Sequence, residues 1–270
     1  MKQFFTIFLL GSILSAGNFG DAFLQIGTTP RAISLGQASV AIPRHIGGYL
    51  TNPAAIGNIK YTSFHLMAVD QFSLANYYSA GLFKSLSDKW YGAINILSLQ
   101  VSGIPVHPDL RTISSIEARR DSIRTLFQTG YESFSDNETA LILSFTRSPR
   151  MMIDLGWRYN AFPIFVPIGM NVKVLHKKFY NLEGFGLGVD IGSMIRLNLS
   201  DVFPYDWLGE FSFGLAFNDI LGTIIYWNTL HQDRIPPDYI RGVSYKQSFK
   251  ILPVEILISL QSSSRHQDKP

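Results

Sequence analysis

Residues 185–198 read FGLGVDIGSMIRLN. Taken alternately, Phe185, Leu187, Val189, Ile191, Ser193, Ile195 and Leu197 fall on one side, while Gly186, Gly188, Asp190, Gly192, Met194, Arg196 and Asn198 fall on the other. A helix, turning about 100° per residue, would mix the two sets. A strand points successive side chains to opposite faces and keeps them apart. The same division recurs at 151–159, where Met151, Ile153, Leu155, Trp157 and Tyr159 oppose Met152, Asp154, Gly156 and Arg158. It recurs again at 211–218, where Phe211, Phe213, Leu215 and Phe217 oppose Ser212, Gly214, Ala216 and Asn218. The chain therefore reads as all-β and antiparallel. In a soluble sandwich the apolar face would point into the core. In a transmembrane barrel it would meet lipid, with the small and polar face lining the lumen. Alternation by itself leaves both open.

Working outward, strands are expected near 61–70, 74–84, 89–101, 138–147, 151–160, 166–179, 184–198, 209–218, 220–227, 239–248 and 251–260, eleven in all. Short connections fall after the even-numbered ones, at Ser85–Asp88, Ser148–Arg150, Tyr180–Glu183, Asn218–Asp219 and Phe249–Lys250. Longer ones fall after odd-numbered strands, at 102–137, 199–208 and 228–238. Short turns on one rim and long loops on the other are the habit of outer-membrane barrels. Trp90, Tyr91, Trp157, Tyr159, Trp207, Trp227 and Tyr239 sit near strand ends, as an interfacial aromatic girdle requires. These two patterns favour the barrel. The loop 102–137 should hold a helix, with Ser114 and Glu117 as a capping box and Ile116, Ile123 and Phe127 on one face. It reads as a surface flap on the loop rim, or as a lid or docking element.

Composition agrees. Of 270 residues, 46% are hydrophobic and 16% charged, against roughly 25% charged in an average soluble domain. The net charge of +3 comes from scattered residues, without the clustered Lys and Arg that nucleic-acid binding needs. With no cysteine, zinc ribbons, thiol catalysis, disulfides and a lipoprotein anchor are excluded. Residues 1–17 read as a signal peptide, with Lys2, the apolar run Phe4–Leu14 and small residues Ser15, Ala16 and Gly17. That run is too short to span roughly 30 Å of hydrocarbon as a helix. Residues 18–60 do not alternate and are rich in Gly, Ala, Pro and Ser. Irregular backbone of this kind is tolerated inside a barrel, away from lipid, and is expected to form a plug ahead of a barrel domain at 61–260 and a polar tail at 261–270.

The run Phe23–Gly27 (FLQIG), then Pro30–Arg31–Ala32 with Leu35–Gly36, Ala38 and Val40–Ala41, and Asn52–Pro53–Ala54–Ala55, resembles the start of the PorV/PorQ family, related to the FadL-type long-chain fatty-acid transporters. Gly184–Gly192 (GFGLGVDIG), Phe213–Leu221 (FGLAFNDIL) with Gly222–Thr223, Pro236 and Gly242–Tyr245 (GVSY) are similar to that family's later strands. The resemblance implies an outer-membrane barrel of about 14 strands with a plug pinned by Asn52, Pro53 and Ala54. Its partners would be outer-membrane lipid and either a hydrophobic small molecule or proteins of type IX secretion. An odd count of eleven strands and the ending SSSRHQDKP (Ser262–Pro270) depart from that pattern and imply strands that are missed or absent. Apart from the resemblance, Pro53 forces Asn52 away from helix, and Asn caps or turns through its own side chain.

No cofactor motif is present. The histidines His45, His65, His107, His176, His231 and His266 lack metal-ligand spacing. Gly184, Gly186 and Gly188 have the wrong third spacing for a dinucleotide fingerprint and read as small lumen-facing residues that leave room for the plug. On the inner face, Asp154, Arg158, Asp190 and Arg196 are the candidates to pair between strands, hold the plug or mark a pathway. The reading is a non-enzymatic barrel. A soluble secreted β-rich ligand-binding protein is the alternative, and a barrel lipase using a Ser with His65 or His176 is the third.

Overall fold

The structure, a computed structural model, describes residues 22–154, 156, 161–249 and 254–265. The expected signal peptide, Arg158, Trp157 and Tyr159 lie outside these residues. The chain is mostly antiparallel sheet: β1 (Ser63–Gln71), β2 (Ala75–Ser85), β3 (Trp90–Pro105), β4 (Ser133–Arg147), β5 (Arg150–Asp154), β6 (Ala161–Phe165), β7 (Ile168–Phe179), β8 (Leu182–Asn198), β9 (Glu210–Asn218), β10 (Thr223–Trp227), β11 (Gln232–Ile235), β12 (Asp238–Ser248) and β13 (Glu255–Arg265). Short helices are α1 (Pro30–Ser34), α2 (Ile116–Thr129) and α3 (Leu199–Val202). The main ladder runs β1-β2-β3-β4-β7-β8-β9-β12-β13.

The register shows that the four remaining segments are continuations of ladder strands. Arg147 pairs with Ile168 and Arg150 with Phe165, so β5 prolongs β4 and β6 runs into β7 with no change of register. β6 and β7 also share one register on β8, through Phe165↔Arg196 and Ile168↔Ser193. Hydrogen bonds cross the interruption, Val166 N–H to Pro149 O at 3.1 Å and Met194 N–H to Pro167 O at 3.0 Å. Pro149 and Pro167 merely withdraw two ladder donors. In the same way β9 and β10 both run antiparallel to β8, separated by a bulge at Asp219–Gly222, and β11 and β12 follow them on the next path, separated by Pro236 and Pro237. Among the described residues the wall is therefore a meander of nine strand paths.

This overturns part of the loop reading. Ser148–Arg150 and Asn218–Asp219 are not reversals; the chain keeps its direction through both. The connections 72–74, 106–132, 180–181 and 228–231 consequently share one rim, and 86–89, 155–160, 199–209 and 249–254 share the other. The two longest, 106–132 and 199–209, lie at opposite rims, so loop length does not sort by rim. Of the expected strand 151–160, Met151–Asp154 belongs to β5, which pairs antiparallel with β6, and 155 and 157–160 lie outside the described residues. β13 runs on to Arg265, so 261–265 belongs to the sheet and not to a tail. Among the described residues β1 pairs only with β2 and β13 only with β12.

The wall is built with its apolar face outward. Along β8, Gly184, Gly186, Gly188, Asp190, Gly192, Met194 and Arg196 are buried, while Phe185, Leu187, Ile191 and Ile195 are exposed. β9 repeats this, with Ser212, Gly214 and Ala216 buried and Phe213, Leu215 and Phe217 exposed. The exposed set continues across the register through Phe64 and Leu82, Ile94 and Ile96, Leu141 and Phe145, Met170 and Val174, and Ile258 and Leu260. Exposed aromatics mark both rims, with Phe72, Tyr180 and Tyr226 at one and Tyr61, Trp90, Tyr205 and Trp207 at the other. Two residues expected in such a girdle turn away from it: Tyr91 is buried, and Trp227 is half-buried with its indole donating to Asp233 Oδ2 at 2.8 Å.

Against the inner face lies the amino-terminal segment, in 3-10 turns and α1 with no strand. Phe23, Tyr49 and Ile56 join Tyr77, Phe83, Leu97, Ile142, Leu175 and Ile225 in one apolar cluster. On the other side, Val40 and Ala41 pack on Ala216 and Ile240. Burying these groups stabilises the assembly by roughly 25 cal/mol per Å² of apolar surface. The strand period thus serves two interfaces, one inward to the plug and one outward.

Candidate functional site: the plug anchor and the buried charge cluster

Asn52 is completely buried, and its side chain joins three elements. Its Oδ1 accepts from Ala54 N–H at 2.9 Å, capping the turn Pro53–Ile56. Its Nδ2 donates to Val40 O at 2.6 Å and to Ser193 O on β8 at 3.1 Å. Pro53 O accepts from Thr146 Oγ1 of β4 at 2.7 Å, and Ala54 and Ala55 pack on Met194. The backbone comes this close because the wall lacks side chains there. A Cβ at Gly192 would strike the Asn52 carboxamide, one at Gly169 the Pro53–Ala54 peptide, and one at Gly214 the Val40 carbonyl. Gly169 and Gly192 are register partners, so the groove crosses adjacent strands.

Gly184, Gly186 and Gly188 face inward as expected but do not receive the plug. Cβ atoms there would meet Trp227 and Ile225 at Gly184, Ile225 and the Ile224 carbonyl at Gly186, and Thr223, Asp219 and Lys173 at Gly188. The room is used by the inner side chains of β10 and by a charged cluster.

That cluster contains one of the expected residues. Lys173 on β7 lies 2.7 Å from Asp190 Oδ1 and 2.8 Å from Asp219 Oδ1, all three essentially out of solvent. Asn171 donates to Asp190 Oδ2 at 3.0 Å and to the plug carbonyl of Tyr49 at 2.9 Å. The Asp219 N–H donates to Asp190 Oδ1 at 2.9 Å, and Thr223 Oγ1 donates to Asp219 Oδ1. Asp219 has φ 52, within the bulge that aims its carboxylate inward. Arg196 stacks over Phe165 at 4.3 Å and lies 3.8 Å from Glu210, which also holds plug residue Arg44 at 2.8 Å.

Asp154 is different. It keeps inner parity but is exposed, and its Oδ1 accepts from Gly156 N–H at 2.8 Å. Arg158 lies outside the described residues. The sequence reading missed Lys173, although parity through 169–177 puts Gly169, Asn171, Lys173, Leu175 and Lys177 on the inner side. It missed Asp219 because Asn218–Asp219 looked like a turn.

Beside the cluster a cavity of about 440 Å³ opens along the seam between plug and wall, lined among others by Leu24, Gln37, Lys173, Asp219, Asp238 and Gln261. Gln261 Oε1 accepts from Val40 N–H at 3.0 Å, and Ser259 Oγ donates to Ala38 O at 2.6 Å, so β13 is tied to the plug at this seam. The bond from Ser79 Oγ of β2 to Thr28 O, 2.7 Å, ties the other side. The segment 28–38, including α1, therefore bridges from β2 to β13.

His65 Nε2 does stand 2.8 Å from Ser79 Oγ on the neighbouring strand. The hydroxyl, however, spends its proton on Thr28 O, which makes the imidazole the donor in the pair and leaves Ser79 without a base. His176 stacks on Phe185, ring centroids 4.5 Å apart. Among the described residues no group of three or more His, Cys, Asp or Glu is placed to hold a metal.

His45 is a titratable group within the plug itself. It is buried against Gly47 and Gly48, and burial, helped by Arg31, lowers its pKa to about 4. A depressed base is neutral when folded, so its contribution is complete above the ordinary value near 6.5 and is lost as pH falls from there toward 4. Acidification through that window is expected to weaken the seated plug by about 3 kcal/mol at its end. His45→Gln should flatten that part of a stability–pH curve, and an unchanged curve would contradict the assignment.

A scan of protein-family models, a search of curated proteins and a search of solved structures each find no match to the chain.

Proposed function

We propose that the protein is an outer-membrane β-barrel protein of the PorV/PorQ kind, with its interior stoppered by the amino-terminal segment. The observation that carries this is the reversed wall, with glycines, Asp190 and Arg196 inside and Phe185, Leu187, Ile191 and Ile195 outside. Soluble monomers rarely expose contiguous apolar patches beyond a few hundred Å², and here the exposed set crosses every path of the ladder. That weighs against the soluble secreted reading. Lipid contact turns the same face from a liability into the stabilising surface.

Within this reading the plug favours a scaffold for exported proteins over a permanently open pore. Asn52 and the glycine groove hold the plug in close contact with β4, β7, β8 and β9. The seam cavity supports a second role, binding an amphiphilic small molecule between plug and β13, since its lining mixes Leu24 with Lys173, Asp219 and Asp238.

Fractionation tests the proposal. The protein should sediment with outer membranes and resist an alkaline wash, and the detergent-extracted form should migrate faster before boiling than after. Release by the wash, or recovery in the soluble periplasmic fraction, would contradict it.

A further inference from the structure

The connection 106–132 carries α2, a 14-residue helix with no buried residue. Ser115, not Ser114, caps it, accepting from Ala118 N–H at 3.4 Å. Its end is fixed by Gly130 at φ 87, whose N–H donates to Leu126 O at 2.9 Å. Ile116, Ile123 and Phe127 are 66%, 42% and 79% exposed. At 3.6 residues per turn these three fall on a stripe roughly 40° wide. Arg119 borders the stripe on one side, and Arg120 and Arg124 border it on the other, while Glu117 and Asp121 lie farther round. The Arg124–Asp121 pair, at 3.4 Å, is open to solvent on both partners. Arg119 touches Ile113 O from its Nε.

A helix of this length is marginal in water without tertiary packing. Among the described residues its one ring contact is Phe127 with Tyr131, 6.1 Å between centroids, from its own loop. Something must therefore cover the stripe. The loop springs from β3 and β4, whose outward faces carry Ile94, Ile96, Leu141 and Phe145. Toward the loop the outward residues of these strands turn polar, at Ser98, Gln100, Asn137 and Thr139, as suits a headgroup level, and the rim that carries α2 also carries the exposed Phe72, Tyr180 and Tyr226; the arginines that edge the apolar stripe complement anionic headgroups.

Resting on the membrane reading above, we propose that α2 is an interfacial anchor. It lies flat on the bilayer at its rim, with Ile116, Ile123 and Phe127 in the acyl boundary and Arg119, Arg120 and Arg124 against anionic headgroups. The committed partner is the lipid surface.

The chain has no cysteine, so single substitutions can carry an environment-sensitive fluorophore. Phe127→Cys reports the stripe, Thr125→Cys the opposite face and Leu187→Cys the wall. The full chain is reconstituted in phosphatidylcholine vesicles with and without phosphatidylglycerol, with a headgroup-level lipid quencher and, separately, a mid-chain one. The Phe127 label should be quenched severalfold more than the Thr125 label by the headgroup-level quencher, and only in anionic vesicles. Each of Arg119→Gln, Arg120→Gln and Arg124→Gln should weaken that quenching about fivefold, the equivalent of ~1 kcal/mol per basic residue near an anionic surface.

Equal quenching in neutral vesicles would overturn the role of the arginines. A Phe127 label no more quenched than the Thr125 label, with Leu187 still quenched at mid-chain depth, would overturn the anchor and leave the barrel reading standing. If Leu187 is also unquenched, the barrel reading itself fails. A Phe127 shift that needs an unlabelled second copy of the chain would assign the stripe to self-association and overturn the lipid partner.

Discussion

Lys173→Met is expected to destabilise the wall by roughly 3–5 kcal/mol, the range for removing one partner of a buried ion pair. Lys173 stands 2.7 Å from Asp190 and 2.8 Å from Asp219, with almost no solvent at any of the three. Without the ammonium, two carboxylates share one dry site, and Asn171, Thr223 and a backbone N–H cannot neutralise them. The penalty is the uncompensated charge and not the worth of the pair. The triple change Lys173→Met, Asp190→Asn, Asp219→Asn should therefore recover much of the loss. Urea titration of the folded protein in detergent checks both. A Lys173→Met protein as stable as the parent would show that the cluster is not closed to water.

The second large effect is expected at the plug. Gly192→Val places a Cβ on the Asn52 carboxamide, which three hydrogen bonds hold in place, and against the Pro53 ring, so neither neighbour can yield as a free side chain would. Overpacking of this kind costs about 1–3 kcal/mol. Here it also breaks the Asn52 bonds to Val40 and Ser193, each worth about 0.5–1.5 kcal/mol. The seated plug should give way first, so residues 28–60 become susceptible to protease while the sheet persists. Gly92→Ala, whose Cβ meets only the Leu86 side chain, is the control. Replacing Asn52 and Pro53 together should likewise loosen the plug and raise permeability. Unchanged conductance in that variant would remove any gating role, and an unchanged digestion pattern in Gly192→Val would contradict the seating itself.

The antiparallel β class and the division of faces at 185–198 and 211–218 were legible because a strand's period is two and each face there is chemically uniform. Asn52 was legible as a cap because Pro53 fixes the backbone around it. What misled was punctuation. Ser148–Arg150, with Pro149, and Asn218–Asp219 look like turns, since residues without a ladder donor or with positive φ usually end strands. In this wall they interrupt strands that keep their direction, in unchanged register at Pro149 and with a bulge at Asp219–Gly222. Counting them as reversals produced eleven strands and a false sorting of loops by rim. Lys173 was hidden for a related reason: its partner Asp219 reaches it only because the bulge turns that carboxylate inward. The use of Gly184, Gly186 and Gly188 by β10 depended on which strand lies beside β8, and periodicity carries no information about neighbours.

The most direct test of the wall's orientation is depth-dependent quenching by lipids labelled in mid-chain, read from single cysteines on the two faces of three strands. Leu187, Ile191, Phe213 and Phe145 represent the outer face, and Met194, Ser212 and Ser144 the inner one. A wall that faces lipid predicts strong quenching at all four outer positions and none at the three inner ones. Equal accessibility of both sets, or outer labels that stay in water, would contradict it.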